Sequence, residues 1–293
     1  MKDNNILILA MGARNIHITK NITSIIFDES FDTSEIKSVK VDDDNPAYCV
    51  KNNCLINRKT GTVELLWNGF EIPEEEGIEE IGDYAFFSLS FDYSKKLTVK
   101  IPEGIARIGA HAFSNPQVSN VILPFSSKEF GYRAFAGSSL KQIFIPENVE
   151  QIGIGAFHNC QLEKINVSEE NRFYYSENSC LIEKETGRLM ACINDPVIPE
   201  GVRIIEQLAL AGLINTRSVY LPSSLEEIRM SEDLPKLLQF PVSVEENEYG
   251  NETKIVSARF YVIKGSYGEE YCIANNLPYI TIFRKENNDN EIR

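Results

Sequence analysis

At 293 residues, with a formal net charge of −14 and a pI near 4.8, the chain shows no basic stripe of the kind a nucleic-acid binder needs. The same charge opposes docking on an anionic membrane surface. No apolar run approaches the roughly 18 residues that span a bilayer, and a hydrophobic fraction of 43% is enough to fill a continuous core.

Ile6 to Met11 is a short apolar run between Asp3 and Arg14. A secretory signal has a basic start and about 7–15 apolar residues. These flanks therefore predict no signal peptide, and the chain is either cytoplasmic or a mature form whose signal was removed. Ile16-His17-Ile18 and Ile22 to Phe27 read as strands, and residues 1–35 as an N-terminal cap over the first open layer of a stack. Ile36 to Val41 is the first clear repeat strand, with Ile36, Val39 and Val41 facing in.

Residues 42–71 read as a small antiparallel meander: Tyr48-Cys49-Val50, then Cys54-Leu55-Ile56, a turn at Arg58 to Gly61, and Thr62 to Trp67. The unit recurs at residues 168–197. Asn45, Cys54, Leu55, Ile56, Thr60, Gly61, Ile72 and Pro73 match Asn171, Cys180, Leu181, Ile182, Thr186, Gly187, Ile198 and Pro199, each 126 residues on. Cys54 and Cys180 thus hold equivalent places beside Leu and Ile, which favours packing over chemistry for both. The six cysteines (49, 54, 160, 180, 192 and 272) form no CxxC pair and no Cys/His cluster of zinc spacing. They read as small buried apolar side chains, with a disulfide left open by the sequence.

From Ile72 a short repeat sets the architecture. Ile101-Pro102, Leu123-Pro124 and Ile145-Pro146 fall 22 residues apart, and Ala112-Phe113, Ala134-Phe135 and Ala156-Phe157 keep the same interval. A fixed period in this range is the signature of a solenoid. In each unit a short apolar strand ends at proline, which lacks a ladder donor. An apolar pair then returns to the core, a glycine such as Gly153 allows a tight bend, and Ala-Phe plugs the interior. Gly82 to Phe86 is the first such plug. After Ile198-Pro199 the plug is degraded to Leu208-Ala209-Leu210, Leu221-Pro222 continues the pattern, and Phe240-Pro241 is a weaker echo. Residues 243–257 read as a polar surface loop. Phe260 to Ile263, a helix over Tyr267 to Asn275 with Ser266 and Glu269 as a capping box, and Tyr279 to Phe283 form a closing strand–helix–strand unit. Residues 284–293 read as a disordered tail.

The repeat from Ile145-Pro146 through Val149, Ile152-Gly153, Ala156-Phe157, Cys160, Leu162, Ile165 and Val167 resembles the BspA-like leucine-rich repeat family of bacterial surface proteins. The family's long-insert variant is similar to residues 42–71 and 168–197, and its C-terminal unit to residues 260–282. The resemblance implies a leucine-rich-repeat solenoid: a right-handed, β-rich superhelix of horseshoe type with inserted β-meanders and a parallel sheet on its concave face. The expected organisation is a cap at 1–35, a solenoid over 36–257, a C-terminal capping unit at 258–283 and the tail. The resemblance also implies adhesion and protein binding at a cell surface or outside the cell, with no catalytic residues to carry over.

Successive strands should stack the residue before each Ile-Pro, Leu-Pro or Phe-Pro pair into an outward ladder. That ladder is Lys100, Ile122, Phe144, Asn166, Tyr220 and Gln239, and these are the candidate partner-binding residues. A second ladder two residues back, Thr98, Asn120, Gln142, Lys164 and Ser218, is polar. A contiguous exposed apolar patch suggests a partner surface, against the plainer alternatives of a covered patch or scattered surface apolars. Asp42-Asp43-Asp44-Asn45 has Ala47 and Asn53 where a calcium loop needs glycine and glutamate, so it reads as a solvated turn, with Asn45 capping its own backbone. His17, His111 and His158 accompany no GxSxG, HExxH or phosphate-loop motif. The expectation is a non-catalytic module without metal or cofactor that binds a protein, such as a host or extracellular-matrix protein. A glycan-binding module and a structural spacer are the alternatives, and neither nucleic acid nor membrane insertion is expected.

Overall fold

The computed structural model describes residues 5–28, 31–68, 71–75, 77–88, 96–160, 162–193, 195–211, 213, 216–230, 242–246 and 253–283, with 242–246 and 253–257 described by backbone alone. The chain divides into two compact units, Met1–Tyr175 and Ser176–Arg293, and each is a β-solenoid.

In the first unit every turn contributes to two faces. One carries four- and five-residue strands in parallel register: Leu97–Lys100 beside Val118–Ile122, and Gln142–Ile145 beside Lys164–Val167. Strand side chains alternate between faces, so Val99, Val121, Ile143 and Ile165 are buried while their neighbours point outward. The other face carries two-residue strands, Glu80–Ile81, Arg107–Ile108, Glu129–Phe130 and Gln151–Ile152, again parallel. The N-terminal residues are built the same way. Ile6–Leu9 pairs in parallel with Ser24–Phe27, and Asn15–Ile18 with Ser38–Val41.

Between the faces the Ala-Phe plugs form a stack. The rings of Phe113 and Phe135 lie 5.8 Å apart and 9° from parallel, and those of Phe135 and Phe157 are 5.6 Å apart at 2°. Phe130 meets Phe135 edge-on at 5.6 Å. Identical plugs thus meet their own copies in the adjoining turns, as a one-dimensional stack requires.

Gly153 does not serve as the bend expected of it. Its φ is not positive. A methyl group there would lie 2.5 Å from the Gly131 carbonyl carbon, and one on Gly131 would lie 2.6 Å from the Ala110 nitrogen. The glycines exist because backbones of successive turns touch there. The left-handed residue comes two places later, at Tyr84, His111, Arg133 and Gly155, with φ of 58°, 53°, 51° and 65°.

The first insert is the antiparallel meander read from the sequence: Tyr48–Lys51, Cys54–Asn57 and Thr62–Leu66, joined in parallel to Glu80–Ile81. Asn52 and Asn53 both take positive φ, as a two-residue hairpin turn demands. Gly61 has φ 68°, and the Gly77 carbonyl oxygen occupies the space a Cβ would need. Asn45 anchors the entry. Its Oδ1 accepts from the Ala47 and Tyr48 amides at 2.8 and 2.7 Å, and its Nδ2 donates to the Thr19 and Ile22 carbonyls. Asn171 repeats the pattern with the Phe173 and Tyr174 amides and the Pro146 and Val149 carbonyls.

In the second unit Cys180–Glu183 runs antiparallel to Arg188–Cys192, which hands over in parallel to Ile204–Ile205 and then Glu227–Ile228. The expectation that Cys180 merely packs is corrected: Cys180 and Cys192 form a disulfide between register partners 4.3 Å apart at Cα. Leu66 occupies the place of Cys192 in the first insert, opposite Cys54. The degraded plug Leu208-Ala209-Leu210 is buried all the same. Ser218–Tyr220, Arg259–Ile263 and Tyr279–Ile282 form a parallel sheet. The helix Tyr267–Asn275 is capped by Ser266, whose Oγ accepts from the Glu269 amide, and Asn276 closes it in the left-handed conformation.

Where they are described, residues 243–246 and 253–257 are strands and not the expected loop. Val242–Glu246 and Thr253–Ser257 pair as an antiparallel hairpin. The Val-Ser-Val alternation carried that signal, and the polar composition around it hid it. Gln239, Phe240, Pro241 and the expected tail at 284–293 lie outside the described residues.

Candidate recognition surface

The long-strand face of the first unit brings four predicted residues into two register pairs. Lys100 faces Ile122 across one strand pair, and Phe144 faces Asn166 across the next. Strand Val118–Ile122 also lies beside Gln142–Ile145. Ile122 is 50% exposed and Phe144 54% exposed, although the strand residues before them are buried. Lys100 is exposed and makes an ion pair with Glu74 at 3.2 Å, both side chains reaching into solvent. The second, polar ladder is present as expected: Thr98 opposes Asn120, and Gln142 opposes Lys164. Two exposed apolar side chains on neighbouring strands are thus bordered by Lys100, Asn166 and hydrogen-bonding side chains, which can desolvate a partner's apolar groups while satisfying its polar rim.

In the second unit Tyr220 has an aromatic partner that sequence reasoning missed. Tyr261 is its register neighbour, and the two rings stack at 4.4 Å and 11°. The ladder continues from Val197, bridged to Tyr220, through Tyr261 to Ile280. The alternation in Arg259 to Ile263 was the available signal. The Pro-based rule passed over it because this strand is followed by Lys264 and Gly265 instead of proline.

The other candidates have structural explanations. Asp42 binds His17 Nε2 at 2.7 Å and the Lys20 amide at 3.0 Å, and those two bonds hold its carboxyl below the usual range. His111 is stacked on Tyr84 at 5.0 Å and meets Phe87 and Tyr132 edge-on. Burial, with the nearby Arg133 charge, pulls it down to about 4. Burial pushes the Cys54 thiol up to about 12 and those of Cys160 and Cys272 to about 11, which is the opposite of an activated nucleophile. Buried Glu206 accepts from Arg188 at 3.1 Å, Arg229 at 2.9 Å and the Gln207 amide at 2.8 Å, so its charge is fully engaged. Among the described residues no group of His, Cys, Asp and Glu could hold a metal ion, and no helix is long and apolar enough to cross a membrane.

Parallel strands at a fixed interval, a phenylalanine stack and an outward side-chain ladder define a leucine-rich-repeat scaffold. The chain belongs to the family described as BspA type leucine rich repeat region, which matches residues 64–180 and 189–232 in six copies. Proteins of this kind are typically found at bacterial cell surfaces, and their repeats are generally non-catalytic. A leucine rich cell surface protein of Faecalibacterium prausnitzii is similar in structure, with 19% identity, a TM-score of 0.48 and coverage of 97% of this chain and 84% of that one. The pneumococcal vaccine antigen PcpA is 16% identical, with a TM-score of 0.39 over 92% of this chain and 79% of its own. A leucine-rich repeat protein of Bacteroides ovatus is 18% identical, with a TM-score of 0.38 over 95% and 71%. A comparison with curated proteins found no match.

Proposed function

We propose that the chain is a non-catalytic recognition module of the bacterial surface that binds a protein partner through the long-strand face of its first unit. The observation that carries this reading is that Ile122 and Phe144, 22 residues apart at equivalent places on neighbouring strands, are each about half exposed while the inward residues of those strands are buried. A rigid sheet presents such a pair with little ordering cost on binding. The Cys180–Cys192 disulfide supports an extracellular location, because such bonds persist in oxidising compartments. The alternative of a sugar platform at Tyr220 is weakened by the same stack that completes the ladder. Each tyrosine covers one ring face of the other, and Val197 and Ile280 are the next residues of the row on the two remaining sides.

The test is capture from host-cell extract and matrix proteins by wild type and by the Ile122→Glu/Phe144→Glu variant, after circular dichroism shows that the variant folds. Capture by wild type alone supports the long-strand face. Equal capture by both moves the site elsewhere, and capture by neither removes support for a protein-binding role.

A further inference from the structure

The strand Tyr279–Ile282 is the outer member of its sheet. On its inner side the Phe260 amide donates to the Pro278 carbonyl and the Lys264 amide to the Ile282 carbonyl. In a parallel ladder the polar groups of alternate residues point to opposite sides. The even-numbered residues therefore face Arg259–Ile263, and the amides and carbonyls of Tyr279, Thr281 and Phe283 face the open edge. Among the described residues no strand pairs with that edge.

Proteins ordinarily blunt such an edge with lysine, proline, a bulge or a cover. Here the strand is Tyr-Ile-Thr-Ile, followed by Phe283, with neither charge nor proline inside it. Tyr279 is 37% exposed and Phe283 78% exposed. On the outward face the apolar rows Tyr261–Ile280 and Ile263–Ile282 run up to this edge and stop.

We infer that this edge pairs with the same edge of a second copy, antiparallel about a two-fold axis at Thr281. With the hydrogen-bonding groups of 279, 281 and 283 outward, an axis there places Thr281 opposite its own copy. It sets Tyr279 opposite Phe283 of the partner subunit. Both exposed aromatics then become cross-strand pairs, and the apolar rows continue across the joint into the second sheet. Antiparallel self-pairing closes after two chains, so it uses up the edge instead of propagating. The strand itself carries no charge, although Thr281 donates to the Glu269 carboxylate at 3.0 Å and the chain as a whole is acidic, so pairing should strengthen with added salt.

The test is sedimentation equilibrium of the full chain across a concentration series, beside Tyr279→Pro and Phe283→Lys variants checked by circular dichroism. Proline at 279 removes an open-edge donor and leaves the inner ladder intact, which edge strands tolerate. Lysine at 283 acts beyond the strand, so one variant remains informative should the other misfold. The expected result is a wild-type mass rising towards the dimer. The two-fold axis doubles each substitution, so two hydrogen bonds or two aromatic pairs are lost, and dimerisation should weaken roughly tenfold to a hundredfold in each variant. A wild type that stays monomeric throughout would overturn the inference, as would dimers of unchanged strength in the folded variants.

Discussion

Cys192 faces Cys180 across the antiparallel strands of the second insert, at the position where the first insert sets Leu66 opposite Cys54. The two inserts share one fold and close it by different means, a covalent bond in one and an apolar contact in the other. Reduction should therefore destabilise the second unit. Closing a loop of 12 residues is worth about 2–4 kcal/mol in the chain-entropy account. Thermal melts with and without reductant measure this. A Cys192→Leu variant, which copies the first insert, should melt above the reduced wild type and lose its response to reductant.

Phe135 lies between Phe113 and Phe157 with both ring faces covered. Truncation to Ala leaves a cavity bounded by two rings that are themselves held by neighbouring turns. The expected cost is about 3–5 kcal/mol. In a nearest-neighbour stack this loss falls on adjoining turns, so hydrogen exchange should rise over residues 109–157 before it rises at the N-terminus.

Asn171 is 1% exposed and uses both ends of its amide. Asn171→Ala strands two carbonyls and two amides, and the penalty should reach about 3 kcal/mol. Asn171→Asp tests direction. The carboxylate still accepts from Phe173 and Tyr174 but faces the Pro146 and Val149 carbonyls without a donor, so it too should destabilise. Denaturant titration of both variants checks the order.

The neutral His111 makes the first unit sensitive to acid. Its folded value of about 4 lies below the ordinary 6.5. The unfolded chain therefore binds the proton first as pH falls. Stability is whole above pH 6.5 and is lost as pH falls towards 4. Arg133 opposes the imidazolium and Asp83 favours it. Replacing His111 by Gln should flatten the melting temperature across that window, and a set of melts at stepped pH checks it.

The sequence made the solenoid legible because each turn must solve the same packing problem. Ala156-Phe157 and Ile145-Pro146 repeat at 22 residues because a stack buries each plug against its own copy. The paired inserts were legible for the same reason. Local composition misled where pattern and polarity disagreed. The strand pair 242–246 and 253–257 was hidden by the acidic residues around it, and Gly153 passed for a bend when it marks contact between backbones.

Along the chain, then, the sequence by itself determined the repeat, the two meanders, the capped helix and which strand residues point outward, since each follows from a local period or a local hydrogen bond. Only the tertiary structure decided which residues share a row where the 22-residue repeat is broken. It set Tyr261 on Tyr220, 41 residues apart, and Cys192 on Cys180, and it left Tyr279–Ile282 at an open edge. Register between strands depends on the length and path of everything between them; the 22-residue period encodes it for Lys100–Ile122 and Phe144–Asn166, but no spacing does where the intervening segments are irregular.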